Sequence, residues 1–329
     1  MNDDIKVSLS KGLGAEIKGV TEVMAGNNNR LFLVETGVEK YLLKIYFRDE
    51  RNRLNREFSA FEFLRDNGFV NVPKPFLKND ALNFALYSYE EGIVINSAAA
   101  SPVELDLLLD FIIKLEKFNY EDVGSKFEPA VMACFELQDY LKNIQFRFVK
   151  FRDYVSSPEL HPLVEEFVND IRVVSYIEKA YKELEAKVSN FSDQKIIQKD
   201  MRLSPVDFGF HNALFKPDKS VCFVDFEYFG WDDPSRIVAD FVNHDMQLNL
   251  ADDHKDYFME QYIQRSNLDG QQVKRLYLVR ELIALEWLTI YLYGMTPEKL
   301  ANKEHSSPNY NVEEYLDTQI GKIRKRYFQ

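Results

Sequence analysis

Three oxygen-bearing side chains stand close together in the stretch Ser204-Pro205-Val206-Asp207-Phe208-Gly209-Phe210-His211-Asn212 and, after a short hydrophobic run, Phe223-Val224-Asp225-Phe226-Glu227. An Asp followed five residues on by an Asn, and then a second Asp closing a Val- and Phe-rich strand, can surround a phosphate chain and its bound cation. In that chemistry Asp207 orients an attacking hydroxyl and accepts its proton, while Asn212 and Asp225 hold Mg²⁺ against the phosphate oxygens of ATP. An Asx-rich turn between two elements is the alternative reading of this loop taken alone.

Such a loop needs elements that bring phosphates to it, and these stand upstream. Tyr41-Leu42-Leu43-Lys44-Ile45-Tyr46 is a short apolar run enclosing one Lys, a strand with an inward cation. From Arg51 to Asp66, Leu54, Phe58, Phe61 and Leu64 recur at helical spacing with Glu57 among them. A Lys on a strand paired with a Glu on the next helix positions the α- and β-phosphates of a nucleotide. Taken singly, Lys44 reads as a snorkelling strand residue and Glu57 as a solvated one; their order ahead of the loop favours the functional reading. Gly26-Asn27-Asn28-Asn29-Arg30 precedes the strand Leu31-Phe32-Leu33-Val34. Gly and Asn tolerate positive φ, so this turn, with Asn28 at its centre, can present backbone N–H groups to phosphate. An ordinary hairpin turn is the alternative.

These features resemble the aminoglycoside phosphotransferase and choline kinase superfamily, whose catalytic loop usually reads His-Gly-Asp-x-x-x-x-Asn and whose metal strand usually reads Asp-x-x. Asp207 and Asn212 match that spacing, but Pro205 stands at the His position and Val206 at the Gly position. The family's His resembles a brace that hydrogen-bonds nearby backbone, and proline offers no such group. Phe84 to Gly92 is similar to the family's hinge, and the carry-over sets backbone groups of Ser88 and Glu90 at the adenine edge. Tyr228 to Arg236, followed by Ile237 to Phe241, is similar to the segment in which an Asp-Pro turn follows the metal Asp. There Asp233 caps a helix whose first position is Pro234, and Asp240 within it serves structure.

The resemblance implies an α+β, bilobal, protein-kinase-like fold: a small β-rich N-terminal lobe and a larger, mostly α-helical C-terminal lobe. It implies a kinase that moves the γ-phosphate of Mg-ATP to a hydroxyl of a small molecule such as an amino sugar, sugar or amino alcohol. The cofactors are then ATP and Mg²⁺. Lys44, Glu57, Asn28, Ser88 and Glu90 serve the nucleotide, Asn212 and Asp225 the metal, and Asp207 the catalysis. A protein kinase is disfavoured, because no A-P-E element follows Asp225. A catalytically silent, nucleotide-binding pseudokinase, with Pro205 marking lost turnover, is the competing reading. Adenylyl transfer on the same fold is a third. Joint retention of Lys44, Glu57, Asp207, Asn212 and Asp225 argues against decay.

Composition bounds the rest. The 329 residues are 46% hydrophobic and 14% aromatic, ample for two cores, and with 13 Gly and 11 Pro the chain is not low-complexity. A net charge of −12 without a basic stripe disfavours nucleic acid as a partner. The cluster Lys322, Arg324, Lys325 and Arg326 reads as a solvated face of a terminal helix. Cys134 and Cys222 read as buried thiols, and His161, His211, His244, His254 and His305 lack metal-ligand spacing. No apolar run reaches the roughly 18 residues of a membrane span, and the acidic start lacks a secretory h-region, so a cytoplasmic protein is expected.

Organisation follows from where strand signals stop. Residues 1–92 form the N-terminal nucleotide-binding lobe, and 93–329 the C-terminal catalytic and substrate-binding lobe. In the latter, Ser101-Pro102-Val103-Glu104 reads as a capping box, helical periodicity runs from Leu160 to Val188 and again from Val273 to Tyr293, and Glu281 and Glu286 could favour a cationic acceptor.

Overall fold

Alternation of large apolar side chains organises the N-terminal strands. In the computed structural model, which describes residues 3–23, 29–192, 195–306 and 310–328, helix α1 (Asp3–Leu13) precedes the antiparallel strands β1 (Gly19–Val23), β2 (Arg30–Glu35) and β3 (Lys40–Ile45). Helix α2 (Arg53–Asp66) follows, then β4 (Pro75–Asn79) and β5 (Phe84–Ser88), giving the order β1-β2-β3-β5-β4. Phe32, Val34, Tyr41, Leu43, Phe84 and Leu86 share one buried cluster with Ile5 and Leu9 of α1. Because successive strand residues point to opposite faces, Lys44 lies on the other face from Leu43.

Chain contacts define two compact units, Met1–Ala133 with Arg202–Trp231, and Cys134–Met201 with Asp232–Gln329. The first unit continues with α3 (Pro102–Leu115), α4 (Tyr120–Val123), and the short strands β6 (Arg202–Ser204), β7 (Ala213–Phe215), β8 (Val221–Phe223) and β9 (Gly230–Asp232). The capping box opens α3 as expected: the Ser101 side chain accepts from Val103 N, and Ser101 N donates to Glu104 Oε2 at 2.9 Å. β7 and β8 form a hairpin with Ala213 opposite Phe223. Gly92 leads into Ile93, whose backbone exchanges hydrogen bonds with Phe215 at 3.0 and 2.9 Å. A Cβ at Gly92 would meet Leu214 Cβ at 2.8 Å, so the connector can approach the hairpin only as glycine.

The second unit is helical: α5 (Leu137–Val155), α6 (Pro162–Ile171), α7 (Val173–Ser189), α8 (Pro234–Asn243), α9 (Asp252–Arg265), α10 (Gly270–Gly294), α11 (Pro297–Ser306) and α12 (Val312–Tyr327). Leu278, Val279, Leu282 and Leu285 of α10 join Leu141, Ile144, Phe148 and Phe151 of α5 in one core. The periodic stretch from Leu160 to Val188 divides at Arg172, which adopts φ 54 and separates α6 from α7. Asp233 caps α8 as expected, its Oδ1 accepting from Ser235 N at 2.9 Å, with Pro234 at the first position. Among the described residues no helix is long and apolar enough to cross a membrane.

Candidate active site

Lys44 is the centre of a charge cluster built by β3 and α2. Apolar positions of α2 at Leu54, Phe58, Phe61 and Leu64 are buried, and Glu57 is buried with them. The Lys44 ammonium lies 2.7 Å from Glu57 Oε2, 2.6 Å from Asp225 Oδ1 and 3.8 Å from Glu227 Oε2. Burial alone would depress the Lys44 pKa, but the carboxylates of Asp225, Glu57 and Glu227 outweigh it and hold it above the ordinary lysine value. Burial pushes the Glu57 pKa up against the attraction of Lys44. Tyr46 OH donates to Glu57 Oε2 at 2.6 Å, and Phe226 N to Oε1 at 3.2 Å, so the buried carboxylate is fully engaged.

The loop that carries Asp207 is pinned from its backbone and from its aromatic neighbours. Ser204 Oγ accepts from Val206 N at 3.1 Å, Asn212 Nδ2 donates to Asp207 O at 2.8 Å, and Val224 N donates to Asn212 O at 2.9 Å. Asp207 and Asp225 are each followed by a buried Phe. Phe208 and Phe226 pack on Phe111 of α3 with ring centroids 5.7 Å away in both cases, and Phe223 packs on it at 4.5 Å. Burying such a ring is worth about 1.5–3 kcal/mol, so these anchors fix where the two Asp backbones lie. The carboxylates remain accessible, with side-chain exposures of 33% for Asp207 and 40% for Asp225. Val206 and Asp225 both take left-handed backbone, φ 68 and φ 66. Pro205 is buried at the end of β6. His211 places Nε2 2.8 Å from Asp207 Oδ1.

The expected site residues are thus brought together in one unit, except Asn28, which lies outside the described residues. Ser88 closes β5; its N–H donates to Lys74 O at 2.8 Å and its hydroxyl to Glu90 Oε1 at 2.6 Å. Glu90 also accepts from Lys216 Nζ at 2.6 Å. Against the upward push of burial, Lys216 and Ser88 hold the Glu90 carboxyl below its ordinary range.

Glu227 was not singled out from the sequence as a site residue, although it stands two residues after Asp225. It is buried, forms an ion pair with Arg53, and accepts from Asn29 Nδ2 at 2.5 Å. Asn29 Oδ1 in turn accepts from Phe47 N at 3.1 Å. The end of the expected phosphate loop is therefore tied to the segment after β8. A chance-frequency Glu with partners far away in sequence carries no local signal; its proximity to Asp225 is the only one.

Two expectations need correction. Glu281 and Glu286, expected to favour a cationic acceptor, are instead paired with cations of this chain: Glu286 is buried and accepts from Arg147 Nη1 at 2.9 Å, while Glu281 is paired with Lys187. The basic C-terminal cluster is not simply solvated, since Lys322 pairs with Asp245 at 2.6 Å and Arg324 with Asp170 at 2.9 Å. Asp240 has a structural contact, in keeping with the expectation: it accepts from Trp287 Nε1 at 2.8 Å within the second unit.

The Lys44–Glu57 pair thus lies in the same unit as the Asp207–Asn212 loop and Asp225. The chain matches the phosphotransferase enzyme family over residues 19–265, and it belongs to that family. No curated protein sequence matches it. Among solved structures it is similar to a spectinomycin phosphotransferase in complex with ADP and spectinomycin, with a TM-score of 0.70 at 12% identity over 100% of this chain and 95% of that one. A choline kinase from Streptococcus pneumoniae gives 0.58 at 15% identity, covering 98% of this chain and 97% of the other. An ethanolamine kinase from Plasmodium vivax gives 0.61 at 16% identity, covering 96% and 86%. The fold is that of these enzymes.

Proposed function

We propose that the protein transfers the γ-phosphate of Mg-ATP to a hydroxyl of a small molecule, in the class of amino sugars, sugars and amino alcohols. The observation that carries this reading is the simultaneous contact of Lys44 with Glu57 and Asp225, at 2.7 and 2.6 Å, beside the Asp207 loop. The spectinomycin, choline and ethanolamine specificities of the similar structures support a small alcohol acceptor. In this reading residues 1–92 bind the nucleotide, residues 93–329 carry catalysis and the acceptor, and the supply of ATP places the activity in the cytoplasm.

Each residue then has a distinct task. Lys44, oriented by Glu57, binds the α- and β-phosphates. Asn212 donates its amide N–H₂ to Asp207 O, which turns its amide oxygen toward the role of ligand; with Asp225 this gives two hard oxygen donors of the kind Mg²⁺ takes. When bound, Mg²⁺ neutralises developing phosphate charge. The Ser88 N–H is committed to Lys74, so adenine recognition at Ser88 falls to its carbonyl, with Glu90 supplying backbone N–H. Asp207 orients the acceptor hydroxyl and takes its proton.

An ATP-consumption screen over aminoglycosides, choline, ethanolamine, homoserine and simple sugars tests the reading, with Asp207→Asn run beside wild type. The expected result is acceptor-dependent turnover that falls about 10²- to 10⁴-fold in the variant, with nucleotide affinity nearly unchanged. Nucleotide binding without turnover on any acceptor would instead favour the silent kinase.

A further inference from the structure

We infer that His211 is a positioning residue that fixes the direction of the Asp207 carboxylate; this rests on the phosphotransferase reading above. Two polar contacts around Asp207 act on the backbone: Ser204 Oγ holds Val206 N, and Asn212 Nδ2 holds the Asp207 carbonyl. The ring of Phe208 anchors the next residue in the aromatic core. The contact from His211 is of another kind, since its Nε2 lies 2.8 Å from Oδ1 of the carboxylate itself.

An ionised carboxylate only accepts hydrogen bonds, so the ring must carry its proton on Nε2 and donate it. Holding Oδ1 removes rotation about the Cβ–Cγ bond and thereby fixes where Oδ2 lies. The imidazole is held to this task by its surroundings, with a side-chain exposure of 13%. The brace that the resembling loop carries two residues before its Asp is replaced here by Pro205, and an imidazole stands four residues after the Asp instead. It acts on the reacting group rather than on the backbone. A donor aimed at the carboxylate lowers the freedom of the group that must meet the acceptor hydroxyl, and a misplacement near 1 Å costs about a hundredfold in rate.

The test compares His211→Leu, which removes the donor, with His211→Gln, whose side-chain amide can reach the position of Nε2. Expected are a kcat lowered about ten- to a hundredfold in His211→Leu with KM for ATP unchanged, and recovery of at least a third of the wild-type kcat in His211→Gln. In the Asp207→Asn background, His211→Leu should change kcat less than threefold, because the two side chains act as one unit. An acceptor-independent readout accompanies these: in protein carrying ¹⁵N-histidine, the His211 signals, assigned by their loss in His211→Gln, should show the Nε2–H tautomer. This measurement carries the test if His211→Leu does not fold.

An active wild type with unchanged kcat in His211→Leu overturns the inference and leaves the phosphotransferase reading standing. So does equal impairment in the Leu and Gln variants, a loss expressed in KM for ATP, or an Nδ1–H tautomer. A wild type that transfers phosphate to no acceptor overturns both.

Discussion

Val206 should invert the usual ranking of alanine and glycine. It adopts φ 68, a region that a β-branched residue enters only under strain, at the position where the resembling loop has Gly. Relief of such strain is worth about 1–3 kcal/mol. Val206→Gly gains that relief, loses roughly 1 kcal/mol from a half-buried isopropyl group, and pays about 0.5–1 kcal/mol in added freedom of the unfolded chain. Its net stability change should lie near zero. Val206→Ala loses most of the same apolar contact and keeps a Cβ at positive φ, so it should fall about 0.5–1 kcal/mol below wild type. At an ordinary position Ala exceeds Gly by about 0.5–1 kcal/mol; here Gly should exceed Ala by a similar margin. Urea unfolding of the three proteins, comparing midpoints at constant m-value, reads this difference. If Val206→Ala is as stable as Val206→Gly or more so, the loop is not strained at this residue.

Two further outcomes follow from the charge clusters. Glu227→Gln keeps an oxygen for Asn29 but removes the negative charge that faces Lys44 and the buried Arg53; a stability loss of about 3 kcal/mol and a KM for ATP raised about tenfold are expected in urea unfolding and steady-state kinetics, and an unchanged KM would show that the Glu227 charge does not set nucleotide binding. Burial, opposed by Arg236, pushes the Asp232 carboxyl up to about 7, so the folded state takes up a proton where the unfolded chain, titrating near ~4, does not. The stability contributed by the neutral form is complete below the unfolded value and is lost as pH rises through the folded one; Asp232→Asn should therefore gain on wild type between pH 5 and pH 8, and an unfolding free-energy difference that is flat across that interval would count against it.

How much of this was legible in the sequence depended on whether the determinant was local. The Ser101 capping box, the Asp233-Pro234 helix start and the apolar stripe of α2 are read within a few residues of the feature they produce, and each is found as expected. The pairing of Lys44 with Glu57 was also legible, because strand and helix follow one another and the order of motifs named the partners. The break between α6 and α7 was not, since Arg172 is an uncommon residue at φ 54 and nothing in Ile171-Arg172-Val173 announces a turn. The Arg53–Glu227 pair joins residues 174 positions apart, and two charges at that separation share no pattern. The burial of Glu286 was hidden for the same reason: its partner Arg147 lies on another helix, and periodicity gave a carboxylate on α10 without saying what faced it.

The departure at Pro205 is best understood from the division of labour around the two Asp residues. Apolar packing sets the position of each backbone, through Phe208 and Phe226 on Phe111, while polar contacts set the direction of each side chain, through Lys44 for Asp225 and His211 for Asp207. A brace that only holds backbone is redundant in a loop whose backbone is already tied at Val206, at the Asp207 carbonyl and at Asn212. Proline at that point removes a hydrogen-bonding side chain but fixes its own φ, which lowers the entropy the loop loses on folding. What a loop with Pro205 and Val206 then requires is a group that aims the carboxylate, and His211 stands where such a group has to be.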